Sequence, residues 1–269
     1  GGGRGGGRGG RWVEPVNDVA LALRQVRYEN RAFWRNPAAA FFTFAFPLLF
    51  MVIFNVIFAG SGEGGEYRAS DFFTPAIIVF AVITATYTNI AMTVTIARDR
   101  GVLKRVRGTP LPAWAFLFGR IAHAVLIALL LVVIVAAFGA LVYDVRVPWD
   151  RLPELVLTLG VAAATFCALG LALSSFLPNA DAAPAIVNAT ILPLLFISNV
   201  FIRLQDPPAW MDAIAGAFPV RHFADAMLAV YTPGLAGAGL QWQDLAVIGA
   251  WGLAGVLFSL RFFSWEPRS

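Results

Sequence analysis

Residues 72–97 read FFTPAIIVFAVITATYTNIAMTVTIA, and residues 98–112 continue RDRGVLKRVRGTPLP. The first stretch carries no charge; the second is crowded with arginine. An uncharged run of about 20 residues or more is long enough to cross a hydrocarbon core ~30 Å thick. Reading outward finds five more runs. Residues 38–59 are 22 uncharged residues, or ~33 Å at 1.5 Å per residue. Residues 114–142 hold Arg120 and His123 near their start and are uncharged after that. Residues 155–177 and 184–202 are uncharged, and 242–260 hold only Asp244 near the beginning. These segments predict an all-α membrane protein with six transmembrane helices.

Composition agrees. Hydrophobic residues make up 59% and charged residues 13%, with a mean hydropathy of +0.72. Soluble domains hold roughly 45–50% apolar and ~25% charged residues. Those values exclude an ordinary soluble domain, and disorder needs the opposite balance.

Orientation follows from arginine and lysine. Residues 1–37 carry seven arginines and the 98–113 loop carries five basic residues, with Arg261 and Arg268 at the end. The opposite side holds Arg68, Arg146, Arg151, Arg203 and Arg221 with ten carboxylates. The asymmetry predicts both termini in the cytoplasm. Residues 1–16 are expected to be a flexible Gly/Arg tail and 264–269 a cytoplasmic tail. No secretory signal is expected before the first span.

Two further elements flank the spans. Residues 17–36 read as an amphipathic helix capped by Asn17 or Asp18. Val19, Leu23, Val26 and Phe33 form one stripe and Arg24, Arg27, Arg31 and Arg35 a neighbouring one. That pattern predicts a helix lying in the membrane interface. Residues 204–240 read as an outer hairpin of two short helices. Asp206-Pro207 starts the first and Phe218-Pro219 restarts the chain. Asp206, Asp212, Arg221, His222 and Asp225 interrupt every window long enough to span.

Several chemistries are excluded by what is missing. Cys167 is the one cysteine, so no intrachain disulfide or cysteine metal cluster forms. Lys104 is the one lysine and Arg105 follows it, so no Walker A site exists. No HExxH motif and no serine–histidine pair of the rhomboid type is found. The central parts of the spans lack the carboxylates of a proton relay. Sodium coupling at helices broken by Pro47 or Pro193 stays open. No catalytic site, metal or cofactor is expected in this chain, and nothing points to nucleic acid.

What remains is a membrane body with a basic loop. Val102, Leu103 and Val106 lie among the charges at helical spacing, bracketed by Gly101 and by Gly108-Thr109-Pro110. A short amphipathic helix there suits docking to a soluble partner; a plain topology signal is the simpler reading.

The same loop resembles the one between spans two and three of ABC-2-type ABC transporter permeases. Asp99, Gly101, Leu103, Lys104, Arg105, Thr109 and Pro110 occupy the recurring positions, with Asp99 where Glu is more usual. Arg35-Asn36-Pro37, Phe41-Phe42 and Phe46-Pro47 resemble the start of span one in the daunorubicin-resistance branch. Pro207-Pro208-Ala209-Trp210-Met211 and Phe218-Pro219-Val220-Arg221-His222 resemble its outer hairpin.

The resemblance implies the permease subunit of an ATP-driven exporter in a bacterial cell membrane. Its substrate would be a drug-like molecule or lipid. ATP and magnesium would sit on two copies of a separate ATP-binding subunit, beside a second permease, identical or homologous. Coupling would run through Asp99, Arg100, Gly101, Leu103, Lys104, Arg105, Thr109 and Pro110 and through helix 17–36. Candidate path residues are Asn55, Thr84, Tyr87, Thr88, Asn89, Asn188, Ser198 and Asn199. Phe201, Trp210, Phe218 and Phe223 would close an outer gate, or the hairpin would be a rigid cap. A lipid-linked glycan exporter of the same fold, or a non-ABC channel or secondary transporter, are the alternatives.

Overall fold

The computed structural model describes residues 18–58, 68–108, 111–201, 208–232 and 239–263. The 1–16 tail, Thr109, Pro110, Asp206, Pro207 and the 264–269 tail lie outside them. The described residues are helices and short turns. Helix α1 (Asp18–Trp34) leads into α2 (Pro37–Ile57), α3 (Ala69–Asp99), the short α4 (Val102–Arg107) and α5 (Ala113–Tyr143). Then come α6 (Leu152–Ser174), α7 (Ala183–Ile197), α8 (Ala209–Ala217), α9 (Pro219–Tyr231) and α10 (Trp242–Phe262).

Five of these, α2, α3, α5, α6 and α10, are long and apolar enough to cross a membrane. The fifth apolar run is shorter than its composition suggests. Helix α7 has 15 residues, or about 22 Å. It stops because Asn199 turns left-handed, with φ of 57°, a conformation asparagine tolerates better than most residues. Taken together, α8 and α9 are apolar enough to span, against the expectation that charge interrupts every window, but the pair bends by 86° at Phe218. Proline at the first position of α9 suits a helix start, since its missing N–H would be unsatisfied there anyway.

Helix α3 is the axis of the bundle. Phe73 through Ile83 are all buried. Helices α2, α5, α6 and α9 pack around it. Helices α6 and α10 form another tight pair. Thr165 Oγ1 donates to the Ile248 carbonyl at 3.0 Å, and Gly252 and Gly255 let the backbones close. Small residues do this work in membranes, where hydrophobicity alone does not drive helices together.

Gly170 is the sharpest case. A Cβ there would sit 2.6 Å from the Tyr87 carbonyl oxygen of α3. Gly170→Leu therefore forces α6 off α3, at roughly 1–3 kcal/mol for overpacking. Gly160 on the same helix has open space around it. Thermal unfolding in detergent should fall for Gly170→Leu and stay unchanged for Gly160→Leu.

Candidate functional site

Helix α3 is not a regular α-helix throughout. Residues Thr84–Thr88 form a π-helical turn, with the Asn89 N–H reaching the Thr84 carbonyl. Such turns are rare and cluster at functional sites, because they insert a residue and redirect the side chains that follow. This one borders a cavity of about 480 Å³ between α2, α3 and α5. Its walls include Phe33, Phe42, Phe46, Pro47, Ile127 and Leu131, with Thr43, Thr84, Thr88 and Asn89 as its polar groups.

Thr43 donates to the Ala39 carbonyl at 2.8 Å, but Thr84, Thr88 and Asn89 differ both from it and from the other threonines of α3. Thr74, Thr86, Thr93 and Thr95 each donate back to a carbonyl four residues earlier, at 2.6–2.8 Å. Their hydroxyls are spent within the helix. The side chains of Thr84, Thr88 and Asn89 have no hydrogen-bond partner among the described residues. A mostly apolar cavity with a few convergent polar groups is the usual form of a small-molecule site.

The other path candidates go elsewhere. The Asn55 amide donates to the Met51 carbonyl at 2.8 Å and is buried. Tyr87 and Thr190 share a hydroxyl–hydroxyl bond of 2.9 Å that ties α3 to α7. Both border a second, more apolar cavity of about 430 Å³ with Phe166, Phe176, Phe218 and Trp251. Asn188 is exposed on α7. Ser198 is fully buried, with its hydroxyl unpartnered among the described residues.

At the far end of α3, Arg98 is 1% exposed. Its Nη1 donates to the Ser174 carbonyl at 2.7 Å, and its Nη2 donates to the Leu177 carbonyl. Asp99 Oδ2 accepts from the Ala180 N–H at 2.7 Å. The pair clamps the turn that joins α6 to α7. Asp99 thus faces into the subunit, and Arg98, counted in the sequence only as a topology charge, is a main anchor. Gly101 adopts φ of +67°, which glycine does at no steric cost, and this turns the chain into α4.

Leu103 on α4 is fully buried against Ala97 and Phe116, with Phe263 beside them. Arg100, Lys104 and Arg105 are exposed. Leu103 holds the helix, then, and the basic residues are what it displays. Helix α1 is tied down as well. Glu29 pairs with Arg120 at 3.4 Å, and Phe33 packs 5.5 Å from the His123 ring. Arg24, Arg27, Arg31 and Arg35 stay exposed. Val19 and Leu23 are also exposed, so the face held against α5 is the one carrying Ala22, Gln25 and Glu29.

The family profile for "ABC-2 type transporter" matches residues 23–232. The chain belongs to the ABC-2 type transporter family. It is 28% identical over 215 residues to "Daunorubicin resistance ABC transporter permease protein DrrB1" of Streptomyces coeruleorubidus, covering 77% of this chain and 74% of that one. It is 25% identical over 176 residues to "Probable multidrug ABC transporter permease YbhR" of Escherichia coli K12, covering 65% of this chain and about half (47%) of that one. "Inner membrane transport permease YadH" of the same organism is 22% identical over 217 residues, 80% of each chain. The chain is therefore an integral membrane permease; its apolar runs predict the membrane and its loop resemblance the permease.

The permease's hairpin charges among the described residues are satisfied in place. Arg221 bridges Asp212 and Asp225, the latter at 3.5 Å. The Asp212 hydrogen bond pushes the Arg221 guanidinium up, while burial pushes the Asp225 carboxyl above the ordinary carboxylate range. His222 Nδ1 lies 2.6 Å from Asp244 Oδ1 and its Nε2 2.9 Å from the Gly216 carbonyl oxygen. The four aromatics expected at an outer gate do not share a surface. Phe201 stacks on Phe50 at 5.7 Å, and Phe218 stacks on Trp251 at 5.3 Å. Phe223 is fully buried and Trp210 is 61% exposed. Their separation follows from the bend, which sends α9 into the core and leaves α8 outside.

Proposed function

We propose that this permease is the membrane subunit of an ATP-driven exporter carrying a hydrophobic or amphipathic, drug-like or lipid substrate outward. The observation that carries this reading is the cavity between α2, α3 and α5. Its walls suit an apolar body, and Thr84, Thr88 and Asn89 offer the hydrogen bonds that would orient a polar group on it. The likeness to DrrB1 and YbhR, named as drug-resistance and multidrug permeases, supports the same substrate class.

The chain would work in a bacterial cell membrane, with both termini cytoplasmic. Two copies of an ATP-binding subunit would carry ATP and magnesium, and a second permease, identical or homologous, would complete the assembly. Lys104 and Arg105 on α4, with Arg100 just before it, present positive charge to the ATP-binding subunit. Leu103 makes α4 rigid enough to pass a push into α3 and so to the π turn. The arginine stripe of α1 would add a second contact.

Affinity purification from membranes with mass spectrometry tests the partnership. The wild-type chain should retain an ATP-binding subunit. The charge-reversed double variant Lys104→Glu, Arg105→Glu should retain less by at least about tenfold, since like charges across an interface cost several kcal/mol and ~1.4 kcal/mol already gives tenfold. Equal retention would remove α4 from the contact. Export activity with no ATP-binding subunit present would favour a channel or secondary transporter.

A further inference from the structure

At the end of α3 opposite to α4 lies a cavity of about 300 Å³, lined by Arg68, Asp71, Asp144, Arg146, Tyr231 and Thr232. The start of α3, the turn after α5 and the end of α9 meet there. Asp144 ends α5 in a left-handed conformation, with φ of 55° and its N–H on the Gly139 carbonyl. That sharp stop places both Asp144 and Arg146 at the cavity.

The charges are arranged unusually. Two guanidinium groups and two carboxylates surround one small space, yet none of the four stands in an ion pair among the described residues. Arg68 makes only a long 3.4 Å bond to the Tyr143 carbonyl. Asp71 accepts from the Arg68 N–H at 2.9 Å through one oxygen. Each charge keeps bonding capacity to spare. Thr232 is already used, donating to the Leu228 carbonyl at 2.9 Å.

Tyr231 is different. It is 9% exposed, and its hydroxyl is buried with no partner among the described residues. An unsatisfied buried hydroxyl costs about 1–3 kcal/mol. A ligand that accepts from it would remove that cost.

The mixture of signs selects the ligand. A simple anion would meet two carboxylates, and a simple cation would meet two guanidinium groups. A molecule carrying both signs at short separation answers all four. We propose that this cavity binds a zwitterionic phosphate–ammonium group of the phosphoethanolamine kind. Arg68, Arg146 and the Tyr231 hydroxyl face the phosphate, and Asp71 and Asp144 face the ammonium. Its place at the ends of membrane helices puts it level with lipid headgroups. The same chemistry is also offered by the soluble headgroup.

Isothermal titration of the full chain, purified and stripped of lipid, tests this. The probes are dihexanoyl phosphatidylethanolamine, soluble O-phosphoethanolamine and the anionic dihexanoyl phosphatidylglycerol. At least one zwitterion should bind with unit stoichiometry, and phosphatidylglycerol should bind roughly tenfold more weakly, the loss expected for one charge-assisted contact. Asp144→Asn and Arg146→Gln should each weaken zwitterion binding by about tenfold, with thermal unfolding unchanged because both residues are exposed. Tyr231→Phe keeps the ring and should weaken it by about fivefold, the loss of one hydrogen bond. Binding of the lipid alone assigns the site to the membrane; equal binding of phosphoethanolamine assigns it to a soluble ligand. No zwitterion binding, equal affinity for phosphatidylglycerol, or no effect of the three variants would overturn the proposal.

Discussion

Replacing Leu103 with Asp should abolish coupling while leaving the spans in the membrane. The side chain is fully buried against Ala97 and Phe116. Removing a buried leucine forfeits about 1.5–3 kcal/mol of apolar burial. An unpaired carboxylate in its place adds a penalty of several kcal/mol. Helix α4 has 6 residues and sits at the margin of the bundle, so it yields first by local opening. The displayed charges of Lys104 and Arg105 then lose their fixed position. ATP hydrolysis stimulated by transport substrate should fall by more than about tenfold, which corresponds to only ~1.4 kcal/mol of lost interaction. Leu103→Met, similar in volume, should keep most of it. Normal coupled transport in Leu103→Asp would return this segment to a topology signal.

The second large effect is expected at Arg98. Its guanidinium is buried and holds the Ser174 and Leu177 carbonyls at the end of α6. A cation there also meets the negative end of the helix dipole. Arg98→Ala leaves two carbonyls without their donors, at about 1–3 kcal/mol each. The fall in thermal midpoint should be on the order of 10 °C for a chain of this size. Arg98→Lys should recover part of it, because an ammonium can reach one carbonyl but not fork between two. A midpoint within a degree of wild type in Arg98→Ala would mean that the clamp contributes nothing to stability.

Most of the fold was legible because it depends on run length and charge, which are local. The apolar runs from 38, 72, 114, 155 and 242 became helices long enough to span. Hydropathy marks 184–202 as one run, but α7 ends at Ile197, since a left-handed turn at Asn199 leaves no mark on hydropathy. The break between α8 and α9 was legible at Phe218-Pro219, because proline starts a helix more readily than it continues one. Asp99 and Arg98 were not, since their partners lie between Ser174 and Ala180, far along the chain. Likewise, the polar density of α3 was visible, but not which of its residues face a cavity. That depends on which threonines bond back to their own helix and on a π turn, and both are backbone properties.

The most direct test of the account uses Thr88, at the π turn and half-buried in the α2–α3–α5 cavity. Thr88→Trp would fill much of that space without touching α4 or the Arg98 clamp. The measurement is ATP-driven efflux of a hydrophobic dye from proteoliposomes holding the permease and its ATP-binding subunit, with ATP hydrolysis followed in the same vesicles. Efflux should drop by at least about tenfold while basal hydrolysis stays within about twofold of wild type, a filled site worth more than ~1.4 kcal/mol. Unchanged efflux in Thr88→Trp would contradict it, and would place the substrate path outside this cavity.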